Sequence, residues 1–231
     1  MSRPLVVAVT GASGAIYAHR LLQVLVRLGR DVHLTISPSA TLVFREELGL
    51  TLNLDRFDLA ALRLDETLLP PLAMAGGATP SANGERPQHG SAASSLDSTA
   101  PAGRIHYHHH SNFMASIASG SFLTDGMVIC PCSGGTLGAI VHSSGHNLIH
   151  RAADVHLKER RKLIVVPRET PLSIVQLDNM KRACEVGAIV LPAMPGWYHG
   201  VRSMLDLVDF VVARILDQLS IEHHLLRRWG A

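Results

Sequence analysis

The sequence lacks a charge of one sign. Its 231 residues carry 21 Lys and Arg against 19 Asp and Glu, a formal charge of +2, which points to neither a nucleic acid nor an anionic membrane surface as partner. It has only three cysteines, Cys130, Cys132 and Cys184. That is too few for a disulfide framework, and the expectation is a reduced, cytoplasmic compartment. No apolar run approaches the roughly 20 residues of a membrane span. The run from Leu5 to Val9 is too short for a signal peptide, and Arg3 alone makes a poor basic region. Internal repeats are missing too. Charge is sparse in total, at 17% of residues against 47% hydrophobic. A chain of this length and composition suits one α/β domain with a sizeable core, and its apolar bias suggests that some surface is covered between subunits.

What the sequence does have begins with LVVAVTGASGAIYA at 5–18. Leu5 to Val9 reads as a buried strand. Thr10-Gly11-Ala12-Ser13-Gly14-Ala15 is a small-residue turn, and a helical pattern follows. Parallel α/β proteins build anion sites this way: glycines let backbone N–H groups approach a ligand, and the helix N-terminus adds partial positive charge. The helix is expected over 15–28, with Ala18, Leu21, Leu22, Leu25 and Leu28 on one face and Gly29 as its C-terminal glycine. Residues 31–37 read as a second strand, which completes a β-α-β unit. That strand ends Ile36-Ser37-Pro38-Ser39, without the acid that a dinucleotide site uses for the adenine ribose. Nor is the turn a G-x-G-x-x-G. Both features favour a mononucleotide, such as a flavin phosphate, over NAD.

Residues 40–48 look helical and carry Glu46 and Glu47, while 50–69 has a mixed apolar pattern with no clear assignment. From Pro70 to Gly103 the chain is rich in Ala, Ser, Gly and Pro, with almost no large apolar residue. Such a segment cannot offset its ordering entropy. It reads as a flexible insertion, at about 70–104, within a single domain spanning 1–231. Residues 115–121 suggest a loop or short helix, 127–130 a buried strand, and Pro131 to Thr136 a second small-residue turn. Helices are expected over 136–143 and 147–160, with a strand at 162–166. Pro171 fits the first turn of another helix, ending near Gly187. A strand at 188–191 and a Pro/Gly loop at 193–200 follow. Ser203, with Asp206 three residues on, caps a last helix to about Leu219. The alternation implies an α/β fold: a Rossmann-like, doubly wound parallel sheet in three layers, with ligands at the carboxyl ends of its strands. The turns 11–15, 37–39, 132–136, 168–171 and 193–200 are expected to converge on that rim.

Several side chains there suggest chemistry. Arg151 and Lys158 are seven residues apart on one helix, hence on one face about two turns apart. Arg168-Glu169 follows a strand end, Tyr198 lies in the last loop, and Arg214 sits on the last helix. If Arg151 serves a nucleotide, then Lys158, Arg168, Arg214 and the Tyr198 phenol suggest a second anion. Each has a plainer reading. Ser13 serves equally well as a helix N-cap, and Glu47 as a solvated helix residue. The run from Lys158 to Arg161 reads as a solvated face, Arg214 as a loosely paired surface group, and Glu169 as a partner for a nearby cation. Cys130-Pro131-Cys132 puts two thiols on one face of a strand end. No second pair accompanies them, so buried small residues explain them better than zinc does. His106 and His108-His109-His110 border the insertion and read as a solvated loop.

Taken together, these stretches resemble the UbiX-type flavin prenyltransferases, within the flavoprotein fold shared with flavin-dependent cysteine decarboxylases. The matching segments are TGASGAIYAHRLL (10–22), Ser37, ASGSF (118–122), MVICPCSGGTL (127–137), NLIHRAADVHLKERRKLIVVPRETPL (147–172), GAIVLPAMPGWYH (187–199) and LVDFVVARILDQL (207–219). They are spread along nearly all the chain except about 50–110. The 70–103 insertion and Trp197 depart from the usual pattern. The resemblance implies an enzyme that joins a dimethylallyl group to N5 and C6 of reduced FMN. The donor is a dimethylallyl phosphate, commonly dimethylallyl monophosphate, and the prenylated FMN serves a UbiD-type decarboxylase. A homo-oligomer, a dodecamer by the resemblance, is implied, and no metal.

By the same resemblance, Gly11, Ala12, Ser13, Ser37, Arg151 and the Ser133-Gly134-Gly135-Thr136 turn contact FMN. Lys158, Arg168, Tyr198 and Arg214 hold the prenyl phosphate. Glu169 protonates or orients the leaving phosphate, and Ser13 and Glu47 handle the N5 and C6 protons. Ser119 and Trp229 lie near the substrate, Trp229 from a neighbouring subunit. Two other readings compete. A cysteine-type FMN decarboxylase would need a catalytic His after the second strand, and none is present. Pro80-Ser81-Ala82-Asn83 echoes its PASANT stretch only inside the insertion. A non-enzymatic flavin carrier would not need the second anion site.

Overall fold

Leu5–Val9 forms β1, and all five of its residues are buried. A strand with no exposed face must be covered on both sides, and the chain supplies helices for both. The computed structural model describes residues 2–68, 102–226 and 228. The other strands are β2 (Val32–Ile36), β3 (Ile105–Tyr107), β4 (Gly126–Cys132), β5 (Leu163–Pro167) and β6 (Ile189–Val190). They form one six-stranded sheet in the order β3-β2-β1-β4-β5-β6, parallel at every pairing. The order reverses between β1 and β4. A crevice opens at such a switch point beyond the carboxyl ends of the strands.

The helices are α1 (Ala15–Arg27), α2 (Pro38–Leu48), α3 (Gly134–Val141), α4 (Leu148–Lys158), α5 (Ile174–Glu185) and α6 (Met204–Leu219). One apolar cluster joins Leu5, Val7 and Val9 of β1 to α1, α2 and α6. A second joins Val6 and Ala8 to α3, α4 and Ala183 of α5. Alternate residues of one strand thus feed two cores, and three layers result.

α1 is buried on more sides than its apolar stripe suggests. Its inward polar groups are satisfied: Arg20 binds both carboxylate oxygens of Asp209 on α6, at 2.6 and 3.0 Å. Gln23 donates to the Leu64 and Glu66 carbonyls, and His19 to that of Leu62. Gly29 follows α1 at φ 69°, as a C-terminal glycine does.

Several expectations are corrected. β4 continues through Pro131 to Cys132 instead of turning at Pro131. A register shift between Ile129 and Cys132 puts the two thiols into different cores, Cys130 with α1 and α6, Cys132 with α3 and α4. They therefore do not share a face. Pro171 precedes α5 instead of starting it. The helix begins after Ser173, whose hydroxyl and Gln176 form a reciprocal capping box, a stronger start signal than proline alone. His106 lies in β3 instead of a solvated loop, stacked on His33 at 5.0 Å. A short edge strand of three residues carries too little pattern to be legible. Among its described residues the unassigned stretch contains one 3-10 turn, Leu59–Leu62. Most of the expected flexible insertion, with its Pro80–Asn83 echo, lies outside the described residues. Among the described residues no helix is long and apolar enough to cross a membrane.

Candidate active site

Thr10, just past β1, ties the rim together. Its hydroxyl donates to the Pro131 carbonyl at 2.8 Å and accepts from the Ser133 N–H at 2.8 Å. Ser37 N–H bonds the Val9 carbonyl, and Ala193 N–H the Pro167 carbonyl, at 2.9 and 3.0 Å. Arg168, after β5, donates from Nε to the Ser13 carbonyl at 3.2 Å. The turns after β1, β2, β4, β5 and β6 therefore meet, as expected. Gly11 is required by close approach: a Cβ there would stand 2.4 Å from Ser39 Oγ.

The α1 N-terminus differs from expectation. Its N-cap is Gly14, in the left-handed region at φ 108°, which provides no side chain. Glu47, near the end of α2, supplies the cap instead. Its carboxylate accepts from Gly14 N–H at 2.9 Å and from Ala15 N–H at 2.9 Å. The positive end of α1 already faces a carboxylate, which an incoming phosphate would meet at close range. The starts of α2 and α3 are the alternatives. Each is capped by a serine: Ser37 accepts from Ala40 N–H at 3.2 Å, and Ser133 from Thr136 N–H at 3.3 Å. Other first-turn N–H groups of a helix have no intrahelical acceptor. Around Gly135 nothing blocks approach, while the Gln176 side chain lies against Gly134. Ser13 is not the cap of α1, so its N-cap alternative falls away.

Two residues at this rim escaped sequence reasoning. One is Thr10, read only as part of a turn. The other is Tyr17, in the first turn of α1, whose ring packs against Gly14. Burial pushes its phenol pKa up; the thiol of Cys130 and the carboxylate of Glu47 add to this, and Arg168 opposes it. Tyr17 therefore stands among three rim elements. Glu169 is exposed, and its Oε2 accepts from Gln176 Nε2 at 3.2 Å.

The cations do not gather at one point of the chain. Arg168 is at the rim. Tyr198 packs edge-on against Phe210 at 5.7 Å. Phe210 and Arg214 line, with Pro192 and Met194, a pocket of about 230 Å³ beside the edge strand β6. Arg214 also pairs with Asp217 at 2.6 Å. Arg151 and Lys158 are elsewhere, on the outer face of α4. Lys158 ends α4, just before β5 begins, so it lies at the amino ends of the strands, roughly 15 Å from the rim across a five-residue strand. It pairs with Glu159, and a Cβ on Gly120 would stand 3.1 Å from its Nζ. Ser119, whose hydroxyl meets that of Ser121 at 2.9 Å, is therefore close by. Arg151 donates to the Ala118 carbonyl at 3.1 Å and pairs with Asp154 at 2.8 Å. The run from Lys158 to Arg161 is only partly a solvated face, because Arg161 binds the Phe122 and Gly120 carbonyls. Trp229 lies outside the described residues, and Trp197 is 69% exposed. Among the described residues no cluster of three His, Cys, Asp or Glu is placed to hold a metal ion.

A parallel sheet with its turn cluster at the switch point, glycine-lined and free of a dinucleotide signature, is the arrangement of a mononucleotide-binding α/β protein. The family model described as Flavoprotein matches residues 1–216. A flavin prenyltransferase UbiX of Pseudomonas aeruginosa is 44% identical over 232 residues, covering 100% of this chain and 96% of that protein. The crystal structure of AnUbiX (PadA1) in complex with FMN and dimethylallyl pyrophosphate superposes with a TM-score of 0.76 at 32% identity, covering 100% of this chain and 99% of the other. A dodecameric FMN-dependent Ubix-like decarboxylase from Escherichia coli O157:H7 does so with a TM-score of 0.73 at 33% identity, covering 99% of each chain. The chain belongs to the UbiX flavin prenyltransferase family.

Proposed function

We propose that this chain transfers a dimethylallyl group from a dimethylallyl phosphate to N5 and C6 of reduced FMN, and that the prenylated flavin passes to a UbiD-type decarboxylase. The observation that carries the reading is the Ser13–Ala15 turn. Glu47 contacts it from one side and Arg168 from the other. A carboxylate and a guanidinium on one turn give proton handling next to anion binding. The complex of a relative with both FMN and dimethylallyl pyrophosphate supports the pairing of ligands.

The residues suit FMN, with its phosphate toward the starts of α2 and α3. Gly11, Ala12, Ser13, Ser37 and the Ser133–Thr136 turn offer small side chains and backbone N–H donors. Reduced FMN, when bound, supplies the nucleophilic N5 and C6. In this reading Arg168, Lys158, Arg214 and the Tyr198 phenol hold the prenyl phosphate and stabilise the charge that develops as its carbon–oxygen bond breaks. Glu169 protonates or orients the departing phosphate. Ser13 and Glu47 move the protons lost and gained at the flavin edge. Trp197 and Trp229 shelter the allylic carbon from water.

Ser119 and Lys158 lie too far from the rim to join Ser13 and Arg168 within one copy. We therefore read the site as completed between copies, with α4 of one chain bringing Lys158 to the rim of the next. A homo-oligomer, as in the dodecameric relative, fits this reading. The single domain with an insertion at about 70–104 belongs to it. So does a reduced, cytoplasmic setting, for which the free cysteines speak.

The test is anaerobic incubation with reduced FMN and dimethylallyl monophosphate, then the diphosphate, followed by mass spectrometry of the released flavin. A flavin heavier by one prenyl unit is expected. Bound but unmodified FMN with both donors would overturn the reading in favour of a carrier or decarboxylase.

A further inference from the structure

Gln176 is the third residue of α5, and both ends of its amide are engaged. The backbone N–H of Ser173, which can only donate, bonds Gln176 Oε1 at 2.8 Å. Ser173 Oγ in turn accepts from Gln176 N–H at 3.3 Å. This capping box fixes the amide's orientation: with Oε1 turned to Ser173, Nε2 points outward. It meets Glu169 Oε2 at 3.2 Å. A Cβ on Gly134, the first residue of α3, would stand 3.4 Å from the same Nε2, so the contact lies against the start of α3. The Glu169 carboxylate thus has one oxygen tied to a donor that its own helix cap holds still, and the other oxygen is left for a ligand.

We propose that Gln176 is a positioning residue: it fixes the Glu169 carboxylate for the departing phosphate and so couples the α5 cap to turnover. The proposal rests on the prenyltransferase reading and on the role of Glu169 within it. The chemistry is that of a neutral amide donating to a carboxylate. It orients the acceptor without adding a competing positive charge next to Arg168.

The cap and the positioning contact can be separated. Gln176→Glu keeps an acceptor for Ser173 N–H, and glutamate is a standard partner at this place in a capping box. It loses the donor to Glu169 and sets a second carboxylate against the first. Thermal stability within a few degrees of wild type is expected. A fall in kcat of about ten- to hundredfold, the range for a lost hydrogen bond to a charged group, should accompany it. Gln176→His, which keeps a ring N–H donor, should recover part of the loss. In a Glu169→Gln background the added Gln176→Glu change should cost less than twofold, because the residue it acts through is already gone. An equally active Gln176→Glu enzyme, or full additivity with Glu169→Gln, would overturn this inference alone. A wild-type enzyme that makes no heavier flavin would overturn the reading beneath it.

Discussion

Glu47 joins the end of α2 to the start of α1. Its carboxylate caps α1 through the Gly14 and Ala15 N–H groups, so the helix start is held by a group from α2 instead of by its own N-cap residue. Glu47→Gln replaces one acceptor oxygen by a donor that faces those same N–H groups. The expected loss is about 1 kcal/mol of stability, read by chemical denaturation, together with a clear drop in flavin prenylation. Unchanged stability would mean that the carboxylate is not the cap. Sequence reasoning found Glu47 only through the family resemblance. On its own helix it looks like any solvated glutamate, and the N–H groups it reaches belong to a turn 33 residues away.

At the scale of elements, α1 and α6 are locked by Arg20 and Asp209, whose side chains are 11% and 12% exposed. Burial pushes the Asp209 carboxyl up, and Arg20 only partly offsets it. Asp209→Ala leaves a buried guanidinium unpaired and should cost about 3–5 kcal/mol, measured as a shift of the denaturation midpoint. The opposite side of the sheet carries a pH-sensitive element. His33 of β2 stacks between His106 and His108, and its Nδ1 lies 2.7 Å from His108 Nε2. Burial first, then the two neighbouring imidazoles, lower its pKa to about 4, with Asp31 opposing. The unfolded chain takes up this proton first. The contribution is therefore complete above pH ~6.5 and is lost as pH falls toward 4. Buried His19 and His156 are shifted the same way. Melting temperature should fall over that window, and the slope should lessen in His33→Gln. An unchanged slope would show that the cluster does not titrate with unfolding.

On the scale of the whole molecule, the cation set is divided. Arg168 sits at the carboxyl rim, Arg214 beside β6, and Arg151 and Lys158 on α4. If copies complete one another's sites, two inactive variants should rescue each other. Lys158→Ala and Glu169→Gln, each deficient as a pure oligomer, should regain measurable prenylation when co-expressed, because mixed assemblies contain some sites with neither change. Co-assembly without any rescue would place Lys158 and Glu169 in the same copy's site. The exposed apolar residues Ile174, Val175, Met194, Trp197 and Met204 are the surface such an assembly would cover, in keeping with a chain that is 47% hydrophobic.

By itself the sequence determined what local pattern can carry. β1 and β5 are continuous apolar runs, α6 opens on Ser203 and Asp206, and Gly29 ends α1; each signal is complete within a few residues. The glycines of the first turn and the missing acid after β2 were enough to favour a flavin phosphate over NAD. Only the tertiary structure decided that Glu47 caps α1, that Cys130 and Cys132 serve different cores, that His106 stacks on His33, and that Lys158 is remote from Arg168. The physical reason is the same in each case. A hydrogen bond or a shared face between distant segments depends on register, helix direction and sheet order, and these are set by how the two cores close around the sheet rather than by any spacing along the chain.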